Sequence, residues 1–177
     1  MSGILEIRSS SEHETVHVGE AIGTLLGPGD VILLIGELGS GKTRLAKGII
    51  SAAAGVSQDD VVSPTFTLVN RFGTHLPINH ADLYRISPDR VEDIDLEDVL
   101  EEDGAIIVEW AENVRDLFEN PLEICIMYAE PEDARTISIR WTDNGAWQQR
   151  LQRICSRFRC IATGDHVPEH TLPAEVS

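Results

Sequence analysis

The chain has 177 residues, of which 42% are hydrophobic and 25% charged, and its formal net charge is −16. That length and balance describe one globular domain with a real core. They exclude a membrane helix, because the longest apolar runs fall far short of the ~20 residues a crossing needs, and the acidity disfavours broad, direct binding to a nucleic-acid backbone.

The first residues show no basic segment followed by an apolar stretch, so no signal peptide is read. Cys125, Cys155 and Cys160 are odd in number and lack C-x-x-C spacing. They read as reduced thiols in a cytoplasmic protein. His166 and His170 flank Pro168 and do not share a helical face, so they carry no metal reading.

Ser11-Glu12-His13-Glu14 matches a capping box, and Val18, Ala21, Ile22 and Leu25 follow at helical spacing. A first helix is expected from there to about Leu26, then a turn at Gly27-Pro28-Gly29-Asp30. Val31 to Ile35 is an unbroken apolar run, as a strand buried on both faces requires.

Gly36-Glu37-Leu38-Gly39-Ser40-Gly41-Lys42-Thr43 then fits G-x-x-x-x-G-K-[ST], the phosphate-binding P-loop. Its glycines let successive backbone N–H groups converge on one anion. Lys42 supplies a mobile charge for the β- and γ-phosphates, and the Thr43 hydroxyl can ligate Mg²⁺. The run from Arg44 reads as a helix whose start faces the phosphates, ended by Gly55.

Ser63 to Val69 reads as a loop entering a strand, with Pro64 keeping Ser63 extended. Thr65, at that junction, is placed to sense a γ-phosphate; the competing reading is a threonine that merely suits a strand. Leu76 to Asp82 is a second extended piece. Residues 89–103 hold nine acidic side chains and read as a solvated face or short helices.

Ala105 to Val108 is a buried strand ending in Glu109. Leu122–Tyr128 and Arg135–Trp141 read as strands of an antiparallel hairpin. Trp147 to Phe158 reads as a last helix with Leu151, Ile154 and Phe158 on one stripe and Arg150, Arg153 and Arg157 on another. The resulting expectation is an α/β, P-loop NTPase-like three-layer fold with a mostly parallel sheet and an antiparallel hairpin at its edge. The ATPase domain covers residues 1–158, and 159–177 form a flexible tail.

ATP chemistry needs a carboxylate near Mg²⁺, usually at a strand end. Glu109 ends the better apolar run and is preferred as the magnesium or water-positioning group. Asp82, ending a poorer one, would support it or orient a water. The competing reading for both is a carboxylate that caps the next helix. Trp110 beside Glu109 is read as core packing. The guanine-reading N-K-x-D motif is absent, so ATP is preferred to GTP. Two alternatives stay open at this point: a small-molecule kinase, although no arginine-rich lid is visible, and a nucleotide-dependent binding module without turnover.

Four segments in this order and spacing, the P-loop, Ser63-Pro64-Thr65-Phe66-Thr67-Leu68-Val69-Asn70, His80-Ala81-Asp82-Leu83-Tyr84-Arg85-Ile86 and Val108-Glu109-Trp110, resemble the TsaE (formerly YjeE) family over about residues 10 to 141. The resemblance implies an ATPase serving threonylcarbamoyl modification of adenosine 37 in tRNAs that read codons beginning with A. It implies a partner, the heterodimer of two related proteins that transfers the threonylcarbamoyl group, with tRNA met indirectly through that complex.

By motif, Gly39, Ser40, Gly41, Lys42, Thr43 and Arg44 would hold the phosphates of ATP. Thr43 and Glu109 would bind Mg²⁺, Thr65 would lie in a switch-like loop, and Asp82 would take the Walker-B-like position. Lys42, Asp82 and Glu109 are thus the catalytic candidates. Glu12 and Thr15 would sit near the adenine, and Arg135, on the late hairpin, would approach the nucleotide. This sequence departs from the family pattern at Arg44, where a second threonine or similar small residue is common.

Overall fold

The computed structural model describes residues 2–64, 68–86, 104–142, 146–158 and, as backbone, 160–163. Its strands are β1 (Gly3–Ser9), β2 (Val31–Ile35), β3 (Val69–Phe72), β4 (Ile78–Asp82), β5 (Ala105–Glu109), β6 (Leu122–Ala129), β7 (Ala134–Trp141) and β8 (Cys160–Thr163). Its α-helices are α1 (Glu12–Gly23), α2 (Lys42–Ala54) and α3 (Ala146–Cys155). The strands form one eight-stranded sheet in the order β3-β4-β5-β2-β6-β7-β1-β8.

β4, β5, β2 and β6 run parallel at its centre. β3 flanks this block antiparallel on one side. On the other side the hairpin partner β7, then β1, then β8 each pair antiparallel with the preceding strand. The α/β expectation and the parallel block around the P-loop strand hold. The hairpin, however, is not at the edge, because β1 and β8 lie outside it.

β1 was not read from the sequence. Leu5, Ile7 and Ser9 are buried on one face while Glu6 and Arg8 turn outward, a period-two pattern in a segment considered only as a possible leader. β8 places Cys160–Thr163 in the sheet against Ile4–Ile7, so the domain does not end at 158 as expected. Of the strand foreseen at Ser63–Val69, residues 65–67 lie outside the described residues; Leu68 takes a left-handed conformation with φ of 67° and β3 follows from Val69. The acidic stretch 89–103 lies outside the described residues, as do both tail histidines.

Alternation along the central strands explains the two cores. Ile32 and Leu34 of β2 pack under α1 and α2 with Ile107, Ile124 and Ile137. Val31 and Leu33 turn to the other face with Ile106 and Val108. Among the described residues that second face is covered by the 3₁₀ turns Ala111–Asn113 and Arg115–Leu117.

α1 begins as its capping box requires: the Ser11 hydroxyl accepts the Glu14 N–H at 3.1 Å. The Glu14 carboxylate reaches one residue further back, to the Ser10 N–H at 2.7 Å. α1 and α2 cross in near-contact because Gly19 and Gly48 lie at the crossing. A Cβ on Gly48 would overlap the Val16 carbonyl oxygen, and one on Gly19 the Leu45 carbonyl oxygen.

Of the basic stripe on α3, Arg150 is a strut. Its guanidinium donates to Asp30 at 2.6 Å and lies over the Trp147 ring at 4.7 Å. Cys125 and Cys155 are free thiols, and burial pushes the Cys125 thiol up from its ordinary pKa. Among the described residues no helix is long and apolar enough to cross a membrane.

Candidate functional site

The P-loop joins the C-terminal end of β2 to α2. Gly41 stands at the helix start with φ of 112°, and no side chain caps that end. The left-handed turn there requires glycine, and the uncapped helix start offers its N–H groups and positive dipole end to an anion. Ser40 is fully buried and its hydroxyl has no hydrogen-bond partner among the described residues. A buried hydroxyl left over beside an anion cradle fits a bound phosphate.

Around this loop opens a cleft of about 350 Å³. Its walls contain Glu12, Thr15, Gly39, Ser40, Gly41, Lys42, Thr43, Arg44, Glu109 and Arg135. Every one of these was named from the sequence. Thr65, the remaining loop candidate, lies outside the described residues.

Lys42 is only 4% exposed. Its ammonium donates to the carbonyls of Gly36 at 2.5 Å and Glu37 at 2.9 Å, and it lies 3.6 Å from the centre of the Trp110 ring. Burial lowers its pKa from the ordinary lysine value, and the nearby carboxylates of Glu109, Glu112 and Asp82 offset part of that.

Thr43 donates its hydroxyl to Glu109 Oε2 at 2.8 Å. The other carboxylate oxygen, Oε1, is 2.9 Å from His80 Nε2. Glu109 and His80 are both essentially solvent-free.

Arg44 pairs with Glu12 at 3.0 Å at the exposed rim. The Thr15 hydroxyl is 2.6 Å from that of Ser9, which ties the start of α1 to β1. Arg135 Nε donates to the Ser40 carbonyl at 2.8 Å, and its guanidinium stacks on Tyr128 at 4.6 Å. Tyr128 in turn donates its hydroxyl to the Leu38 carbonyl at 2.7 Å. The hairpin thus grips the P-loop from one side.

Asp82 is the exception. It ends β4 beside Glu109 in register but is not part of the cleft wall. One of its oxygens accepts the Ser63 hydroxyl and the other the Tyr84 N–H, both at 3.0 Å. In this structure it fastens two chain segments, while its charge still lies near enough to Lys42 to act on it.

Trp110 packs against the second core as expected, and it does more. It lines the cleft with its backbone in the left-handed region, φ 60°, a conformation uncommon for a bulky residue. His80 was quoted only as part of a motif. Its signal was legible: period two places Ile78, His80 and Asp82 on one face, the face under α2.

Fold and loop together define a P-loop α/β domain. A family model described as "Threonylcarbamoyl adenosine biosynthesis protein TsaE" matches residues 9–137, and the chain belongs to the TsaE family. It is 34% identical to the tRNA threonylcarbamoyladenosine biosynthesis protein TsaE of Bacillus subtilis over 157 residues, which are 87% of this chain and 93% of that protein. It is 41% identical to the protein of the same name from Streptomyces coelicolor over 115 residues, 62% and 76% of the two chains. A crystal structure of Bacillus subtilis YdiB superposes with a TM-score of 0.73 at 26% identity, covering 89% of this chain and 97% of that one.

Proposed function

We propose that the protein binds and hydrolyses ATP with Mg²⁺, and that this hydrolysis supports turnover of the heterodimer that places threonylcarbamoyl on adenosine 37 of tRNAs reading codons that begin with A. The observation that carries the reading is the convergence of Lys42, Thr43 and Glu109 on the cleft at the uncapped start of α2. Family membership supplies the biological setting.

The donor set suits Mg²⁺. Ligands at 2.0–2.1 Å in an octahedron put neighbouring oxygens roughly 2.9 Å apart, and the Thr43 hydroxyl and Glu109 Oε2 stand at 2.8 Å. No cluster of three or more His, Cys, Asp or Glu side chains able to hold a metal exists among the described residues. Mg²⁺ takes one or two protein oxygens and completes its shell with phosphate and water. When bound, Mg²⁺ neutralises charge that gathers on the phosphates during transfer.

Lys42 exchanges the Gly36 and Glu37 carbonyls for phosphate oxygens, an anion that relieves its buried charge. The P-loop amides bind the phosphates, and Ser40 and Arg44 flank them. Glu12 and Thr15 form the wall where the adenine is expected. Arg135 holds the loop through the Ser40 carbonyl. Glu109 on the cleft wall, with Asp82 beside it in register, supplies the carboxylate that positions the attacking water. A net charge of −16 leaves tRNA to the heterodimer, and free thiols agree with work in the cytoplasm.

The test is steady-state ATP hydrolysis, alone and with the heterodimer from the same organism. Stimulation that disappears in Lys42→Ala supports the reading. Transfer of phosphate to a metabolite would replace it with a kinase, and tight ADP binding without turnover in any combination would replace it with a binding module.

A further inference from the structure

We infer that His80 is a positioning residue for Glu109: it holds the carboxylate in the one rotation that leaves Oε2 turned toward Thr43 and the cleft. The inference rests on the nucleotide and Mg²⁺ reading of the site and assigns a role to a residue outside the cleft wall.

His80 and Glu109 lie on adjacent parallel strands, two rungs apart in register, since His80 faces Ile107 and Asp82 faces Glu109. Their side chains are 0% and 1% exposed and meet at 2.9 Å. The terminal torsion of a glutamate is broad, so a carboxylate held through one oxygen can still rotate. Here each oxygen has its own donor, His80 on Oε1 and Thr43 on Oε2, and the carboxylate plane is fixed.

The chemistry assigns the tautomer. An ionised carboxylate only accepts, so Nε2 carries the hydrogen. Nδ1 is buried with no partner among the described residues. Ile78 on the same face of β4, and Ile107 opposite, show that this layer is otherwise apolar. An imidazole with one nitrogen unsatisfied is a poor packing choice there, and the hydrogen bond to Glu109 accounts for it. Partners of this kind behind a metal-binding carboxylate orient it without touching the ion.

The experiment measures ADP affinity by calorimetry in EDTA and in Mg²⁺ for the full chain. His80→Phe is expected to leave the EDTA affinity within about twofold and to cut the gain conferred by Mg²⁺ by about tenfold or more. His80→Gln, whose amide N–H can stand in for Nε2–H, should recover most of that gain. Adding His80→Phe to Glu109→Gln should cost nothing further, since both act through one carboxylate.

A folded His80→Phe protein with the full Mg²⁺ gain would overturn the inference and leave the nucleotide reading intact. Wild-type protein that binds no ADP under either condition would overturn both. Because His80→Phe can fail to fold, ¹⁵N NMR of the wild-type imidazole, free of metal and nucleotide, supplies a second test. A hydrogen on Nε2, facing Glu109, is expected, and a bare Nε2 would overturn the assignment.

Discussion

Thr43 and Glu109 are 66 residues apart in the chain and joined by a 2.8 Å hydrogen bond at the mouth of the cleft. One stands in the first turn of α2 and the other ends β5. β2 makes the meeting possible, since it pairs directly with β5 and runs straight into the P-loop. The parallel centre of the sheet therefore serves as a jig: whatever holds β2 against β5 also holds the two oxygens at ligand spacing.

Lys42 is a charge held in a poor solvent. Lys42→Met should abolish nucleotide binding yet leave the nucleotide-free protein at least as stable as wild type at neutral pH. The sign follows from proton counting. Burial lowers the folded-state pKa, so between that value and the ordinary lysine range near 10.4 the unfolded chain binds more protons. Wild-type stability therefore rises with pH through that window, and the penalty stands in full below it. Urea unfolding of both proteins across alkaline pH should show their difference shrinking as pH rises. A difference that grows would refute the assignment.

Asp82 should behave as a fastener. Asp82→Ala removes the acceptor of the Tyr84 N–H and of the Ser63 hydroxyl. Amide exchange at Tyr84 is expected to accelerate by about tenfold, corresponding to roughly 1.4 kcal/mol of lost local protection. ADP affinity in EDTA should change little. Unchanged exchange at Tyr84 would show that the carboxylate is not what holds that turn.

Arg135 holds the P-loop from the hairpin side. Arg135→Ala deletes the bond to the Ser40 carbonyl and the stack on Tyr128, and a drop in ADP affinity of roughly tenfold is expected. Tyr128→Phe keeps the ring under the guanidinium and loses only the bond to the Leu38 carbonyl, so its effect should be smaller. Equal losses in calorimetry would mean that the two side chains act as one unit.

Gly48→Ala tests the crossing of the two helices. The new methyl would meet the Val16 carbonyl oxygen and lie 2.9 Å from the Glu20 nitrogen. Backbone cannot move aside as a side chain can, and a loss of ~1–3 kcal/mol is expected. Thermal unfolding should fall by roughly 2–12 °C. An unchanged midpoint would mean that α1 can shift along α2 without cost.

What could be read in advance followed from local grammar. The P-loop, the buried run Val31–Ile35, the capping box at Ser11 and the strand ending in Glu109 each carry their signal within a few residues. The cleft wall was legible for the same reason, since most of it is the loop itself. Non-local pairing was less visible. β1 is a sound alternating strand, but nothing in Gly3–Ser9 announces a partner at Ala134–Trp141. For Asp82, type and position at a strand end do not reveal that its carboxylate also ties Ser63 to the turn at Tyr84. His80 was underrated because its polarity lowered the apparent quality of β4 as a strand, whereas that polarity marks the point where β4 supports the carboxylate on β5.

The pairing of β1 also has a cost in time. Gly3 lies against Trp141 and Ser9 against Arg135, so the first strand made must wait for nearly the last. At synthesis rates of ~5–20 residues per second that interval is roughly ten seconds. Throughout it Leu5 and Ile7 have no β7 to pair with, and the Ser9 to which Thr15 is tied stays outside the sheet, although α1 can already pack on α2. The wall that Arg135 gives the cleft is therefore completed only after β7 emerges, so a chain truncated before β7 would carry an intact P-loop motif in a cleft that lacks this wall.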